Sequence, residues 1–415
     1  MADEWVMMNI DQLGKTDSRG DCPVEPQKSP SRRLVLLLAA VTGTAAANLY
    51  YAQPLLPEIA HALSVSEGRT ALLVAAAQVG YALALAFVVP LGDLTDRRRL
   101  LTALLASSAV ALSVAACAPA FSALAMALVV VGVTSSAAMI AVPLAASLAG
   151  DALRGQVVGT VMSGLLIGIL VARTFSGLLA DVAGWRSVYV VAAALMAVMA
   201  VAVRSMVPAV PAVDALSYRR ALRSILELVA TQAVLRQRMV LAAMGMACFT
   251  LLWTSLAFLL AGPGYRYSPV TIGLFGLAGL AGAVAAPLAG RLTDAGHARR
   301  LMSAALGALL ISWGLLALGQ QWLTALIAGI VLLDFALQGL SISHQTAVYA
   351  LVPEARSRLT TALVVSQFIG GALASGAVSL VCPAAGWPGI CGAGTVLAVM
   401  ATAWWFLTQK RLNRA

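Results

Sequence analysis

Long apolar segments recur along most of this chain, and they constrain its fold more than any other feature. Reading between charged or turn-rich breaks gives six such segments, a polar stretch, and six more. An α-helix needs roughly 20 apolar residues to cross the hydrocarbon core of a bilayer. The twelve predicted spans, numbered in chain order, cover residues 34–56, 70–91, 100–118, 121–147, 156–180, 187–206, 239–262, 270–290, 301–319, 322–350, 359–381 and 388–408.

The composition agrees with a membrane protein. Of the 415 residues, 61% are hydrophobic and 11% are charged, whereas a soluble domain carries about 25% charged residues. Because each segment is continuously apolar instead of alternating, the sequence predicts helices and not a β-barrel.

The placement of charge predicts the orientation. All but four of the 27 Lys and Arg residues fall on one side of the membrane if the N-terminus is cytoplasmic, and basic residues concentrate in cytoplasmic loops. The net charge of +10 then follows from topology, so we expect no nucleic-acid partner. The excess of Arg over Lys, with abundant Ala, indicates a bacterial source. We expect a multi-pass protein of the bacterial inner membrane with both termini cytoplasmic.

The two halves of the chain resemble each other at an offset of about 200 residues. Pro90 to Asp96 at the end of span 2 matches Pro287 to Asp294 at the end of span 8. Ala-Gly-Trp follows span 5 and recurs after span 11. We therefore predict an all-α membrane protein in which 12 transmembrane helices form two pseudo-symmetric six-helix bundles. Transporters with such parallel repeats bind substrate near the midplane between the halves.

These observations divide the chain into five parts. The first is a disordered cytoplasmic tail, and a six-helix bundle follows it. A cytoplasmic linker, in which arginines and apolar residues predict an amphipathic helix on the membrane surface, leads to the second bundle and a short cytoplasmic tail. The predicted bounds are 1–33, 34–206, 207–238, 239–408 and 409–415.

The segment between spans 2 and 3 resembles the loop signature of the major facilitator superfamily. It runs from Gly92 to Arg99, and a degenerate second copy begins at Gly290. The resemblance covers residues 34–408, and it implies the fold of that superfamily. The run from Asn48 to Ala60 is similar to a bacterial subgroup of drug or arabinose-type efflux permeases.

The loop signature implies a gate. We expect Gly92 to let span 2 pack closely against a partner backbone, and Asp96 to accept hydrogen bonds beside a helix N-terminus. By resemblance, the loop residues latch the two halves together on the cytoplasmic side in the outward-facing state. The alternative is a charge cluster that serves topology alone. The gating residues are Gly92, Asp93, Asp96, Arg97, Gly290 and Asp294.

Two charged residues lie inside predicted spans: Arg173 in span 5 and Asp334 in span 10. A charge at the centre of a span costs on the order of 2.5–3.5 kcal/mol on insertion scales, so it is rarely retained without a partner or a task. Counting along the helices from Arg154 and Arg356 places both at similar depth. We predict an ion pair between the halves, or alternation between pairing and binding of a proton or substrate. A fixed structural salt bridge is the alternative.

Polar residues along span 10 predict a water-filled cavity. Asp334, Gln338, Ser341 and Gln345 recur on one helical face. By resemblance, spans 1, 4, 7 and 10 line a central substrate cavity, and an apolar, aromatic and Met-rich lining suits bulky amphipathic ligands. The other candidates are Asn48, Tyr50, Tyr51, Gln53, Met139, Phe249 and Trp253. Gln78 and Gln367 occupy similar places in the two halves and are candidates for hydrogen bonds across them.

The sequence has no Gly-x-x-x-x-Gly-Lys-Ser/Thr loop, so no ATPase within the chain powers transport. The leading hypothesis is a secondary active transporter that works by alternating access. It would be a monomeric, proton-coupled antiporter that exports a drug-like or natural-product small molecule and confers drug resistance, without metal, cofactor or catalytic residues.

Other functions stay open at this stage. Proton-coupled uptake of a small metabolite is the main alternative. Ile169, where the antiporter signature of the superfamily has proline, weakens the argument for antiport. A non-transporting receptor is the alternative from another class, although it has no need of duplicated loop signatures. An intramembrane enzyme or a channel is disfavoured, because the chain lacks their residue clusters.

Overall fold

The computed structural model describes residues 31–150, 153–209, 218–279, 287–352 and 355–412. All regular elements in these ranges are helical, and they follow the order of the predicted spans. We therefore keep the span numbers. The predicted tail up to residue 30 and the last three residues lie outside the described ranges.

Helices of the first half extend beyond the predicted apolar segments at several ends. Span 1 is divided where the chain passes through a 3₁₀ turn that contains Pro54, a residue that interrupts a helix because it has no N–H to donate. The helices are Arg32–Ala47, Gln53–Leu55 and Leu56–Ala62 for span 1, Glu67–Phe87 for span 2, Leu91–Leu94 in the loop, Arg97–Ala116 for span 3, Phe121–Ser135 and Ala137–Leu148 for span 4, Arg154–Ala183 for span 5 and Trp185–Met206 for span 6.

The second half repeats this arrangement after a linker helix. Spans 11 and 12 are two helices that follow each other directly and meet at a kink at Gly386, where φ is 57°. The helices are Tyr218–Thr231 in the linker, Ala233–Ala261 for span 7, Pro269–Leu274 and Phe275–Gly279 for the first part of span 8, the π-turn Thr293–His297 after it, Ala298–Leu318 for span 9, Leu323–Tyr349 for span 10 and Arg356–Leu412 for spans 11 and 12.

Nine helices in the described ranges are long and apolar enough to cross a membrane. One of the nine contains both span 11 and span 12. Span 1 is divided into shorter helices and span 8 is described only in part, so the nine helices are consistent with the twelve spans of the fold.

Span 7 begins at Ala233, inside the segment predicted as linker. Charged residues end a membrane-crossing segment, but they do not end a helix, because Arg and Gln are good helix formers. Arg236 also donates hydrogen bonds to the carbonyls of Val229 (2.9 Å) and Ala230 (2.5 Å), which ties the start of span 7 to the linker helix.

Close glycine contacts hold the first half together. A Cβ added to Gly80 in span 2 would overlap the carbonyl of Val129, and one added to Gly132 in span 4 would overlap the carbonyl of Ala77. Helices in a bilayer associate through such close packing, since lipid gives no hydrophobic driving force between them. Spans 2 and 4 therefore cross with their backbones in contact.

The halves meet through spans 2 and 11 and through spans 5 and 8. The Ser375 hydroxyl donates to the Ala71 carbonyl (2.7 Å), and the Thr174 hydroxyl donates to the Gly273 carbonyl (3.0 Å). Gln78 Nε2 donates to the Thr250 hydroxyl at 3.1 Å, so one of the two predicted glutamines does bond across the halves.

These contacts lie toward one face of the molecule. Span 1 begins at what we call the N-terminal face, and the chain reaches the far face where span 2 begins and span 5 ends. The residues that join the halves on the far side are called the seal here. They are Ala71, Gln78, Thr174 and Gly177 of the first half with Thr250, Pro269, Gly273 and Ser375 of the second.

Candidate functional site: a cavity between the halves

A cavity of about 390 Å³ lies between the two halves. Its lining comes from spans 1, 2, 4 and 5 of the first half and spans 7, 8, 10 and 11 of the second. The lining starts next to the seal at Arg173 and extends toward the N-terminal face. There it includes Met162 in the first half of span 5 and Gln345 near the end of span 10. Among the described residues, the hydrogen bonds that join the halves thus lie on the far side of the cavity.

The guanidinium of Arg173 lies against a group of aromatic rings. Its Cζ is 4.0 Å from the ring centre of Trp253, 4.9 Å from that of Tyr50 and 5.4 Å from that of Phe249. Nε donates to Gln53 Oε1 at 2.8 Å. The residue is only 3% exposed, and Nη2 is buried without a hydrogen-bond partner in the described chain. Cation–π contacts and one hydrogen bond therefore hold this charge.

Asp334 lies in the same cavity but does not bond directly to Arg173. Its Oδ1 accepts a hydrogen bond from Trp253 Nε1 at 3.5 Å. Within the described ranges the two charges form no ion pair, so the predicted direct pair is wrong for this conformation. The physical reason is that Trp253 contacts both residues: its ring faces the guanidinium, and its indole N–H points to the carboxylate.

The polar face of span 10 lies where the helical spacing predicts it. Gln338, Ser341 and Gln345 line the cavity together with Asp334, and Gln345 Nε2 donates to the Ser341 hydroxyl at 3.5 Å. His344 also lines the cavity, and neither ring nitrogen has a partner among the described residues. Met139 and Phe249 contribute to the lining from spans 4 and 7.

Two predicted cavity residues of span 1 face away from it. Asn48 donates to the Ser108 hydroxyl of span 3 at 3.3 Å, and the Tyr51 ring packs against Phe175 at 6.3 Å between centroids. Both are therefore packing residues of the first bundle in this structure. Residues three apart share a helical face, so the neighbouring Tyr50 takes the cavity side instead.

Gln53 and Trp253 are also absent from the lining, although they belong to the site. Both are buried and act through Arg173, Gln53 as hydrogen-bond acceptor and Trp253 as stacking partner. They are positioning residues for the two buried charges.

The prediction missed the contribution of spans 2, 5, 8 and 11. Assigning the cavity to spans 1, 4, 7 and 10 leaves out the long apolar side of span 5. The charge of Arg173 within span 5 was a sign that this span also lines the cavity. The residues missed on these four spans are Tyr81, Met162, Leu165, Leu166, Ile169, Leu170, Gly279, Val364, Gln367 and Phe368.

The loop between spans 2 and 3 has Asp96 at the start of span 3. The Asp96 carboxylate accepts from the backbone N–H groups of Arg98 (2.9 Å) and Arg99 (3.4 Å), so the predicted hydrogen bonding beside a helix N-terminus is confirmed. Arg97 Nε donates to the Gly92 carbonyl at 3.0 Å, and its Nη1 to the Pro143 carbonyl at 3.5 Å. These contacts all stay within the first half.

The expected close packing at Gly92 is wrong. The atoms nearest to an added Cβ belong to the Ile140 side chain, at 3.6 Å, which is an ordinary contact and not a backbone approach. At Gly290, in the second copy, an added Cβ would meet no described atom within 4 Å. The side chains of Asp93 and Asp294 lie outside what the structure describes.

Comparison with known proteins agrees with this architecture. A family model described as Major Facilitator Superfamily matches residues 38–319 and 265–415. The "Uncharacterized transporter YgaY" of Escherichia coli O157:H7 is 43% identical over 392 residues, which cover 94% of this chain and 100% of that protein. The "Probable transporter SCO4007" of Streptomyces coelicolor is 38% identical over 382 residues, covering 91% of this chain and 89% of that protein.

A solved structure shares the fold. The crystal structure of a bacterial homologue of the human lysosomal transporter Spinster, inward-facing and unoccupied, superposes with a TM-score of 0.72 at 16% identity. The match covers 93% of this chain and 98% of that one.

This chain belongs to the major facilitator superfamily. It is a multi-pass membrane transporter of a small molecule and not an enzyme.

Proposed function

We propose that this protein is a proton-coupled exporter of drug-like or natural-product small molecules, which works by alternating access. It acts as a monomer in the bacterial plasma membrane, with the N-terminal face in the cytoplasm. Under this orientation the structure is an inward-facing state that is ready to take up substrate from the cell. The carrying observation is the cavity between the halves, with its apolar and aromatic lining and its two buried charges.

The lining supports a bulky amphipathic substrate. Three methionines and the rings of Tyr50 and Phe249 face the cavity. Thioether and aromatic side chains adapt to apolar bodies of different shape. The polar side chains of the lining are grouped mostly on span 10, so they suit the polar end of an amphipathic ligand better than a ligand that is polar on every side.

Asp334 supports coupling to protons. A carboxylate can be charged or neutral, whereas an arginine keeps its charge. Asp334 is 8% exposed and lies in the cavity, where a proton can reach it from the open side. Protonation removes a buried negative charge, and with it the electrostatic attraction between Asp334 in one half and Arg173 in the other. This change can link proton binding to the movement of the two halves.

Accumulation of amphipathic compounds in cells with and without the gene tests the proposal. We expect lower accumulation of at least one compound in cells that carry the gene, and an uncoupler should remove the difference. Asp334→Asn should reduce that difference at least tenfold. Glu227→Gln is a matched control, because it neutralises an exposed carboxylate that pairs with Arg223 on the linker helix, outside the cavity.

Three results contradict the proposal in different ways. Higher accumulation with the gene indicates uptake of a metabolite instead of export. A difference that survives both the uncoupler and Asp334→Asn contradicts proton coupling. Equal accumulation of every compound tested contradicts export of amphipathic compounds and indicates a transporter with substrates of another class.

A further inference from the structure

The guanidinium of Arg173, a cavity-lining residue, has an edge for which the described chain supplies no acceptor, and this is called its free edge. An arginine stacked on a ring uses its flat face and keeps its in-plane N–H groups for hydrogen bonds. Here the faces contact Trp253, Tyr50 and Phe249, and among the described residues only Nε has an acceptor, Gln53. Nη2 is buried with no partner in the described chain. A buried charged donor without an acceptor is unfavourable, so this geometry favours an acceptor supplied from outside the protein.

The chain itself does not supply that acceptor in this conformation. Among the described residues that line the cavity, Asp334 is the only acid, and its carboxylate is engaged by the Trp253 indole. Arg173 stays positive, whereas a proton can neutralise Asp334. The lasting charge in this cavity is therefore positive.

We infer that the substrates of this cavity are amphipathic carboxylates, whose anionic group binds the free edge of Arg173. This inference rests on the proposed function and specifies the charge of its substrate. An arginine fork and a carboxylate match in geometry and form two parallel hydrogen bonds. The apolar body of the ligand lies against Tyr50, Phe249 and the cavity methionines on the N-terminal side.

Three ligands of one shape and different charge test the inference: 1-pyrenebutyrate, 1-pyrenebutanol and 1-pyrenebutylamine. Their binding to the full-length protein in nanodiscs is measured by calorimetry, with empty nanodiscs subtracted. We expect the butyrate to bind at least tenfold more tightly than the alcohol. Arg173→Gln should remove this preference and leave the affinity for the alcohol within about twofold, which also shows that the variant retains its cavity.

Arg238→Gln is the matched control. Arg238 is half-buried and likewise lies against a tryptophan, with Cζ 4.8 Å from the Trp405 ring centre, and its Nε and Nη1 have no partner among the described residues. It does not belong to the cavity lining. We expect Arg238→Gln to preserve the preference for the butyrate.

The outcomes separate this inference from the proposed function. Equal affinity for the butyrate and the alcohol, or preference for the amine, overturns the inference but leaves an exporter of neutral or cationic compounds. A preference that survives Arg173→Gln overturns the assignment to Arg173. If none of the three ligands binds saturably, the cavity does not bind amphipathic compounds, and both proposals are contradicted. Binding of the butyrate without any gradient-dependent accumulation contradicts export alone.

Discussion

Two glycine contacts of similar tightness hold different parts of this molecule together. Within the first half, Gly80 and Gly132 bring the backbones of spans 2 and 4 into contact. Between the halves, an added Cβ at Gly177 of span 5 would overlap the Pro269 carbonyl, and one at Gly273 of span 8 would lie 2.6 Å from the Arg173 carbonyl. Alternating access requires the second contact to open, whereas the first contact must persist in every state.

The two contacts differ in their surroundings further along the helices. Spans 5 and 8 separate toward the N-terminal face. At Gly276 the atom nearest to an added Cβ is the Cβ of Arg173, at 2.9 Å, and the Leu170 carbonyl lies at 3.5 Å. At Gly279 the nearest atoms are side-chain ends, Leu170 Cδ2 at 3.0 Å and Asp334 Oδ2 at 3.3 Å, so the backbone contact ends there. If the protein works by alternating access, we expect the same packing motif to be permanent inside a bundle and to open where it ends at a cavity.

Gly132→Ala should have the largest effect, because both partners are backbone and neither can move without separating spans 2 and 4. We expect a loss of folding stability at the upper end of the roughly 1–3 kcal/mol that overpacking costs. Size-exclusion chromatography after heating measures it. Gly159→Ala is the control, since its added Cβ meets no described atom within 4 Å. Equal heat resistance of the two variants would contradict a permanent contact.

Gly177→Ala should leave the fold intact but prevent closure of the seal. We expect faster hydrogen exchange over residues 268–279, and at least a tenfold loss of export, because a penalty above about 1.4 kcal/mol shifts the conformational equilibrium tenfold. Mass spectrometry measures the exchange, and heat resistance should match that of Gly159→Ala. Unchanged exchange in this segment would show that the seal tolerates the extra methyl group.

The fold followed from the sequence because the bilayer leaves so few options. An apolar stretch of sufficient length in lipid must be helical, and the twelve spans are found in the predicted order. Helix ends were less predictable, as the early start of span 7 at Ala233 shows. Glycine contacts were not predictable: Gly92 was expected to meet a backbone and does not, and Gly132 gave no signal. Which backbone approaches a glycine depends on how helices cross.

The site was predictable where one helix determines it. Gln338, Ser341 and Gln345 line the cavity, because helical periodicity alone places them on one face. Tyr51 and Arg173 show where prediction from a single helix fails. The rotation of span 1 decides which tyrosine faces the cavity, and the position of Trp253 on another helix decides whether Arg173 and Asp334 meet. Both depend on tertiary packing.

Substitutions of Asp96 test whether a contact on the N-terminal face joins the two halves when the seal on the far side is open. Asp96→Ala removes the cap of span 3 and should lower stability by about 1 kcal/mol, whereas Asp96→Asn keeps an acceptor and should not. Thermal unfolding measures both. If the loop latches the halves in the outward-facing state, Asp96→Asn also reduces export. Normal export by Asp96→Asn would show that Asp96 is a helix cap and nothing more.

The hydrogen bond between Gln78 and Thr250 should give the smallest effect. A double-mutant cycle with Gln78→Leu and Thr250→Val should show a coupling of about 0.5–1.5 kcal/mol, the net contribution of a typical hydrogen bond. Because this bond joins the halves, we expect the coupling in the opening of the seal, measured by hydrogen exchange over residues 268–279.

Gln237 and Thr408 offer the same chemistry inside the second half, where Gln237 Nε2 donates to the Thr408 hydroxyl at 2.5 Å. Gln237→Leu with Thr408→Val should therefore show its coupling in thermal stability and not in the opening of the seal. If both coupling energies are found in thermal stability and neither in the opening of the seal, the interface between the halves is as permanent as the interior of a bundle. In that case the seal cannot be the part that opens, and the glycine contact between spans 5 and 8 is as permanent as the one between spans 2 and 4.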